Sequence, residues 1–221
     1  MRLFHHALFA VFLVASPALA QTAASPNGKT PDLPPKPLAT GVRWTYQNKD
    51  ELTGELKGTY TYIVTDVSDK NVGVRLEVLG KPGYAFLTYD HAWDLIGDGE
   101  WNFLPNDSTG VRLPLTVGKE WAFHYNRVLR SRGFTLRVSG TSKVLSRESV
   151  TTEAGTFDTF KIDTQYAQRD ANDPSKTYDF TLTTWYAPAV DHWVKREQKI
   201  RFEGNLRESN LFELLEYDSA Q

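Results

Sequence analysis

The chain has 221 residues, of which 27 are acidic and 25 basic, for a formal charge of −2. That balance excludes the strongly basic surface on which non-specific nucleic-acid binding depends, and 40% hydrophobic residues exclude a chain too polar to fold. Cysteine is absent, which removes disulfides, thiolate metal sites and cysteine nucleophiles together.

Residues 1–20 carry the three parts of a secretory signal peptide. Arg2 supplies the positive start, Ala7 to Ala15 the apolar run, and Ala18-Leu19-Ala20 a small-residue cleavage site. The apolar run is shorter than the roughly 20 residues that cross a bilayer. The expected mature product therefore begins at Gln21, has no transmembrane segment and is periplasmic or secreted. From Gln21 to Pro37 come Pro26, Pro31, Pro34, Pro35 and Pro37, with Leu33 the one large aliphatic residue. Such a stretch is too poor in apolar side chains to repay its ordering entropy, so residues 21–37 are expected to be a disordered tether. Residues 38–221 are then a single β domain.

From Val42 onward the apolar pattern has period two, the mark of strands with one buried face. Val42, Trp44 and Tyr46 alternate with polar residues; so do Val72, Val74, Leu76 and Val78, then Trp121, Phe123 and Tyr125, and later Tyr178, Phe180 and Leu182. Turn-forming clusters separate the runs at Ser68–Asn71, Ser131–Gly133, Glu153–Thr156 and Asn172–Ser175. Short connections make neighbouring strands antiparallel. The pattern predicts about eleven strands, with the last stretch around Leu206 to Leu215 taken as strand rather than helix. So many strands curl, giving a strongly curved sheet or partly open barrel. Pro37-Leu38 through Tyr46 also echoes Pro114-Leu115 through Phe123, with Pro, Leu, Gly and Trp in step at an offset of 77, the pattern a duplicated β-meander would leave.

Residues 82–111 contain no lysine or arginine but hold Asp90, Asp94, Asp98, Glu100 and Asp107 among six large rings. Rings beside carboxylates suit a ligand with an apolar face and several donors, which makes Tyr89, Trp93, Asp94, Asp98, Glu100 and Trp101 the candidate ligand-binding set. The plainer alternative is a hairpin whose rings enter the core and whose acids face water. Asp94, Asp98, Glu100 and Asn102 are oxygen donors, but their spacing does not match the twelve-residue calcium loop. His91, His124 and His192 lack the short interval that fixes two metal ligands, and His124, set between Phe123 and Tyr125, is expected at the surface. No Gly-x-Ser-x-Gly or phosphate-cradling glycine loop is present, so no cofactor is implied. The basic run Arg127, Arg130, Arg132, Arg137, Lys143 and Arg147 reads as a solvated hairpin, with an anionic lipid or glycan surface as the alternative.

The segment Ala154-Gly155-Thr156-Phe157, followed by Trp185-Tyr186-Ala187-Pro188 and Val194-Lys195, resembles a pattern in uncharacterised exported bacterial proteins of the TapB-like kind. Here Asp191-His192-Trp193 stands where that pattern has a glycine soon after Pro188. The resemblance implies an exported antiparallel β protein, akin in shape to the half-barrels that carry lipoproteins, and transfers no activity. The functional expectation is a non-catalytic envelope protein that binds a hydrophobic or glycan-type ligand, with lipid, lipoprotein or glycan partners and no nucleic acid. A carboxylate-based hydrolase using segment 82–111 and a structural envelope protein are the alternatives.

Overall fold

The structure is a computed structural model describing residues 38–220; the expected signal peptide and tether lie outside the described residues. It contains twelve strands: β1 (Arg43–Asp50), β2 (Leu56–Val67), β3 (Val72–Val78), β4 (Ala85–Tyr89), β5 (Leu95–Gly97), β6 (Trp101–Leu104), β7 (Glu120–Leu129), β8 (Phe134–Thr152), β9 (Gly155–Asp170), β10 (Thr177–Ala187), β11 (His192–Phe202) and β12 (Asn205–Asp218). Each pairs antiparallel with its neighbours in sequence, and β1 pairs with β12, so the sheet closes into an up-and-down barrel. The all-β antiparallel expectation therefore holds, with two refinements. The barrel is closed rather than partly open, because Arg43–Asp50 pairs with residues 210–218 at the other end of the chain, a contact no local pattern encodes. The strand count is twelve rather than about eleven; β5 has only three residues, too few to display a period.

Alternation sorts the side chains. Trp44, Tyr46, Val64, Val72, Val74 and Leu214 point inward and are almost wholly buried. Their neighbours on β1, Arg43, Thr45, Gln47 and Lys49, remain partly exposed on the outside. A membrane-spanning barrel shows the opposite order, with an apolar band facing outward. Twelve strands also enclose a wider lumen than the eight whose side chains alone suffice to fill the interior. Large rings make up the difference. Tyr46 stacks on Trp193 with centroids 3.8 Å apart, and Trp44 stacks on His192 at 4.7 Å.

The segment between β6 and β7 folds into the barrel and completes the filling. Its Leu115 is buried against Val144, Ile162 and Tyr186, with Val111 packed beside them. Gly110 permits the close approach: a Cβ there would overlap the Ala92 carbonyl oxygen and lie 2.6 Å from Asp94 Oδ1. Closure of the barrel wall is thinnest next to this segment, where β5 meets β6 through the single register pair Gly97 and Asn102.

The two echoing segments are built alike. Gly41 (φ +93°) and Gly118 (φ +88°) each turn the chain into a strand. The Gly41 N–H donates to Val64 O at 2.8 Å and the Gly118 N–H to Val144 O at 2.9 Å, each on the following strand. Each turn opens a run of six strands, β1–β6 and β7–β12. Because left-handed backbone strains an L-residue, Gly118→Ala is expected to cost about 1–2 kcal/mol. Gly41→Ala should cost somewhat more, since its Cβ would also sit 3.3 Å from Ala220 Cβ. Denaturant titration checks both, and a neutral result at Gly118 would show that the backbone relaxes freely there.

Candidate functional site

Inside the barrel the packing leaves a partly enclosed cavity of about 180 Å³. Its rings come from inward positions around the circumference: Tyr62 on β2, Tyr89 at the end of β4, Trp93 just beyond it, Trp121 on β7 and Trp193 on β11. Thr109, Gly110 and Val111 of the inserted segment form another wall, and Ile162, Thr164, Leu182 and Thr184 of β9 and β10 face them. The register explains the last group. Ile162 pairs with Thr184 and Thr184 with Arg196, so the three form a cross-strand row on the inner face.

Arg196 is the cation of that row. Its Nε donates to Thr184 Oγ1 at 3.1 Å, and its guanidinium lies 4.7 Å from the centroid of the Trp193 ring. No carboxylate pairs with it among the described residues. Burial pushes its pKa down from the usual arginine value, with nearby tyrosines acting in the opposite direction. The hydroxyls of Tyr62 and Tyr89 have no hydrogen-bond partner among the described residues, and burial pushes both tyrosine pKa values up.

His192 completes the wall. It is 6% exposed and belongs to the barrel interior. Tyr46 explains its state: the Tyr46 hydroxyl donates to Trp193 O at 2.8 Å, so at 2.6 Å the His192 Nδ1–H donates to the Tyr46 oxygen. Burial first, then the positive charge of Arg196, pushes the His192 pKa down to about 3. The imidazole is therefore neutral, leaving Arg196 as the full charge on a wall that contains no Asp, Glu or Lys. His124, by contrast, is exposed beside Asp107, and His91 Nε2 lies 2.8 Å from Ser68 O on the surface.

The structure divides the candidate set from segment 82–111. Tyr89 and Trp93 are cavity walls. Trp93 has left-handed backbone (φ +64°) and makes an edge contact with His192 at 4.7 Å. Asp94 is buried behind them at 2% exposure, where Oδ1 accepts from Ser108 N, Ser108 Oγ and Gly110 N at 2.7–3.0 Å. Its Oδ2 forms an ion pair with Arg112 Nη1 at 2.7 Å, off the hydrogen-bonding direction. Asp98, Glu100 and Trp101 sit apart on the β5–β6 hairpin. Asp98 Oδ1 accepts the Trp101 and Glu100 N–H groups, Glu100 is exposed, and the Trp101 ring is covered by the Arg127 guanidinium at 4.7 Å. Asp90 likewise accepts from Ala92 N, Asp94 N and Asn106 Nδ2. These carboxylates hold turns together, and no metal-binding group of three or more His, Asp or Glu occurs among the described residues.

Asp191 opens the Asp191-His192-Trp193 stretch that stands where the resembled pattern has a glycine soon after Pro188. It adopts the left-handed conformation glycine favours (φ +47°, ψ +36°), so the turn is kept. Its Oδ1 accepts from the Tyr186 hydroxyl at 2.5 Å and from Trp93 Nε1 at 3.4 Å, contacts a glycine would not supply.

A DUF3108-like family model matches residues 136–205, which span most of β8 through the start of β12 and include His192 and Arg196. That is a similarity over less than half of the chain. No curated protein matches it. Among solved structures it is similar to a candidate lipoprotein from Parabacteroides distasonis ATCC 8503, at 18% identity and TM-score 0.53, covering 82% of this chain and 97% of that one. Weaker similarities are to a candidate exported protein with a YmcC-like fold from Bacteroides fragilis NCTC 9343 (15% identity, TM-score 0.49, 82% and 97% covered) and to the hypothetical lipoprotein YmcC from Escherichia coli K12 (11%, 0.46, 78% and 83%). The Parabacteroides barrel establishes a shared fold. The family similarity shown is to DUF3108-like proteins over residues 136–205, and it does not reach the narrower TapB-like pattern.

Proposed function

We propose that the chain is an exported, non-catalytic binding barrel of the bacterial envelope that takes a small, largely apolar ligand into its lumen. The observation that carries this reading is the aromatic-walled cavity of about 180 Å³ inside the barrel. Its size selects among ligands: an apolar cavity of about 150 Å³ holds benzene, so this one suits a compact body of a single ring with a short substituent. A membrane-lipid acyl chain spans about half of a ~30 Å hydrocarbon core and exceeds it. A glycan would need an uncovered ring with donors and acceptors around it, whereas Arg127 already lies on Trp101. Export is supported by the signal pattern in residues 1–20 and by the candidate-lipoprotein description of the Parabacteroides barrel.

Neutral ring compounds test the reading without involving charge. Toluene or indole at about a hundredfold excess over Kd should raise Tm by roughly 5 °C or more, from about 2.7 kcal/mol of linkage. Leu182→Trp, which adds volume on the cavity wall, should abolish the shift. Equal shifts in the two proteins, or none in either, would reject the cavity as a binding site.

A further inference from the structure

We propose that the lumen selects small monocarboxylic acids, with Arg196 receiving the carboxylate and the ring-lined cavity receiving the apolar body. The inference deepens the reading above and rests on the cavity being a binding site.

Charge on the wall is the first argument. Arginine carries five N–H donors, and here only Nε is used, by Thr184 Oγ1 at 3.1 Å. The remaining four have no partner among the described residues. A partly buried guanidinium left without a counter-charge is costly to fold around, and natural interiors pair such a group with an acid. This barrel has carboxylates to spare, but Asp94 is committed to Arg112 and Asp191 to Tyr186 and Trp93. The planar fork that remains suits a carboxylate, which it can grip through two parallel hydrogen bonds.

The second argument is the company Arg196 keeps. Tyr62 and Tyr89 line the same cavity with hydroxyls that can donate to an anion, and the Trp193 ring braces the guanidinium at 4.7 Å. His192 is held neutral by burial, so it adds no second positive charge. One cation therefore balances one negative charge. A phosphate monoester carries close to two at neutral pH and would leave the excess uncompensated in the interior, which points to a carboxylic acid over a phosphate.

Size sets the rest. The cavity fits a body the size of one ring plus the acid group, in the manner of a substituted benzoate or cinnamate. The three probes are then cinnamate, cinnamyl alcohol and phenyl phosphate, measured by titration calorimetry on the wild-type protein and on Arg196→Met and Arg196→Lys. Wild type should bind cinnamate at least tenfold more tightly than cinnamyl alcohol, with phenyl phosphate weaker than cinnamate. Arg196→Met should keep the alcohol and lose the preference for the acid, whereas Arg196→Lys should keep part of it. Should Arg196→Met fail to fold, the wild-type and Arg196→Lys ratios still decide. Equal binding of acid and alcohol by wild type would overturn the proposal and leave the apolar cavity standing. Tighter binding of phenyl phosphate would overturn the choice of acid, and binding of none of the three would overturn the cavity reading together with this one.

Discussion

Asp94→Ala is expected to lower the unfolding free energy by about 3–5 kcal/mol, the range for removing one partner of a buried ion pair. The carboxylate is 2% exposed and organises a whole segment: it takes both donors of Ser108, the Gly110 N–H and the Arg112 guanidinium. Its loss strands the three donors of Ser108 and Gly110 in a place water does not reach and leaves Arg112 with Asp107 alone, and each buried donor without an acceptor costs more than its hydrogen bond contributed. At roughly 2–4 °C per kcal/mol for a domain of this size, Tm should fall by about 10 °C. Asp94→Asn retains the acceptor at Oδ1 but turns an amide toward Arg112, so most of the loss should persist. Because Thr109, Gly110 and Val111 form a cavity wall, ligand affinity should fall with stability. Chemical denaturation of the three proteins decides: a loss below about 1 kcal/mol for Asp94→Ala would mean that the segment is held by its apolar contacts alone. A hydrolase built on Asp94 would instead show loss of turnover at unchanged stability.

That role was hidden in the sequence for a simple reason. The acidic stretch reads as unpaired carboxylates because it is bounded at Val111, and the counter-charge to Asp94 is the very next residue, Arg112. Local charge patterns report what neighbours are present, not which of them meet across a fold. Period-two alternation, in contrast, was a sufficient guide to the inward faces of β1 and β3, where Trp44, Tyr46, Val72 and Val74 are buried as their spacing predicts. The same rule misplaces Arg196. Counting by twos from inward-facing Trp193 reaches Lys195 and Glu197 and puts Arg196 outside. The register between β10 and β11 slips at Trp185 and Tyr186, where Tyr186 meets Trp193 but Trp185 meets Lys195. This bulge inserts Val194 and brings Trp193 and Arg196, three residues apart, onto one face. A single extra residue thus carries a charge into the lumen, and only pairing data reveal it.

The cavity follows from the same competition between regular pattern and closure. Twelve strands make a lumen that rings fill well but not completely, and the inserted segment held by Asp94 seals one side without occupying the centre. Tyr89 and Trp93, chosen from sequence for their rings, reach this space because β4 ends beside it; Asp98, Glu100 and Trp101 do not, because the short β5 carries them out to the hairpin. The set divides where the chain leaves the lumen.

Acid should destabilise this protein through His192, and replacing that residue should remove the effect. In the folded state the imidazole titrates at about 3, against about 6.5 for a free histidine, because it is buried against Trp44, Trp93 and Tyr46 and faces Arg196. Between these values the unfolded chain binds the proton and the folded chain does not, so stability rises with pH across the window. The contribution is complete above about pH 6.5 and is lost progressively as pH falls toward 3. At 1.36 kcal/mol per pH unit, some 3 kcal/mol should have gone by pH 4. His192→Phe keeps an aromatic surface between the two tryptophans and leaves the Tyr46 hydroxyl its acceptor at Trp193 O. The variant should therefore lose stability modestly at pH 7 and show a much shallower decline below pH 6. Asp191, whose pKa burial pushes up, titrates with the opposite sign, but it is present in both proteins and its contribution largely cancels in the comparison. Urea midpoints from pH 7 to pH 4 on the two proteins measure the difference. Parallel curves would show that the folded barrel admits a charged imidazole, and that the lumen is better solvated than its packing implies.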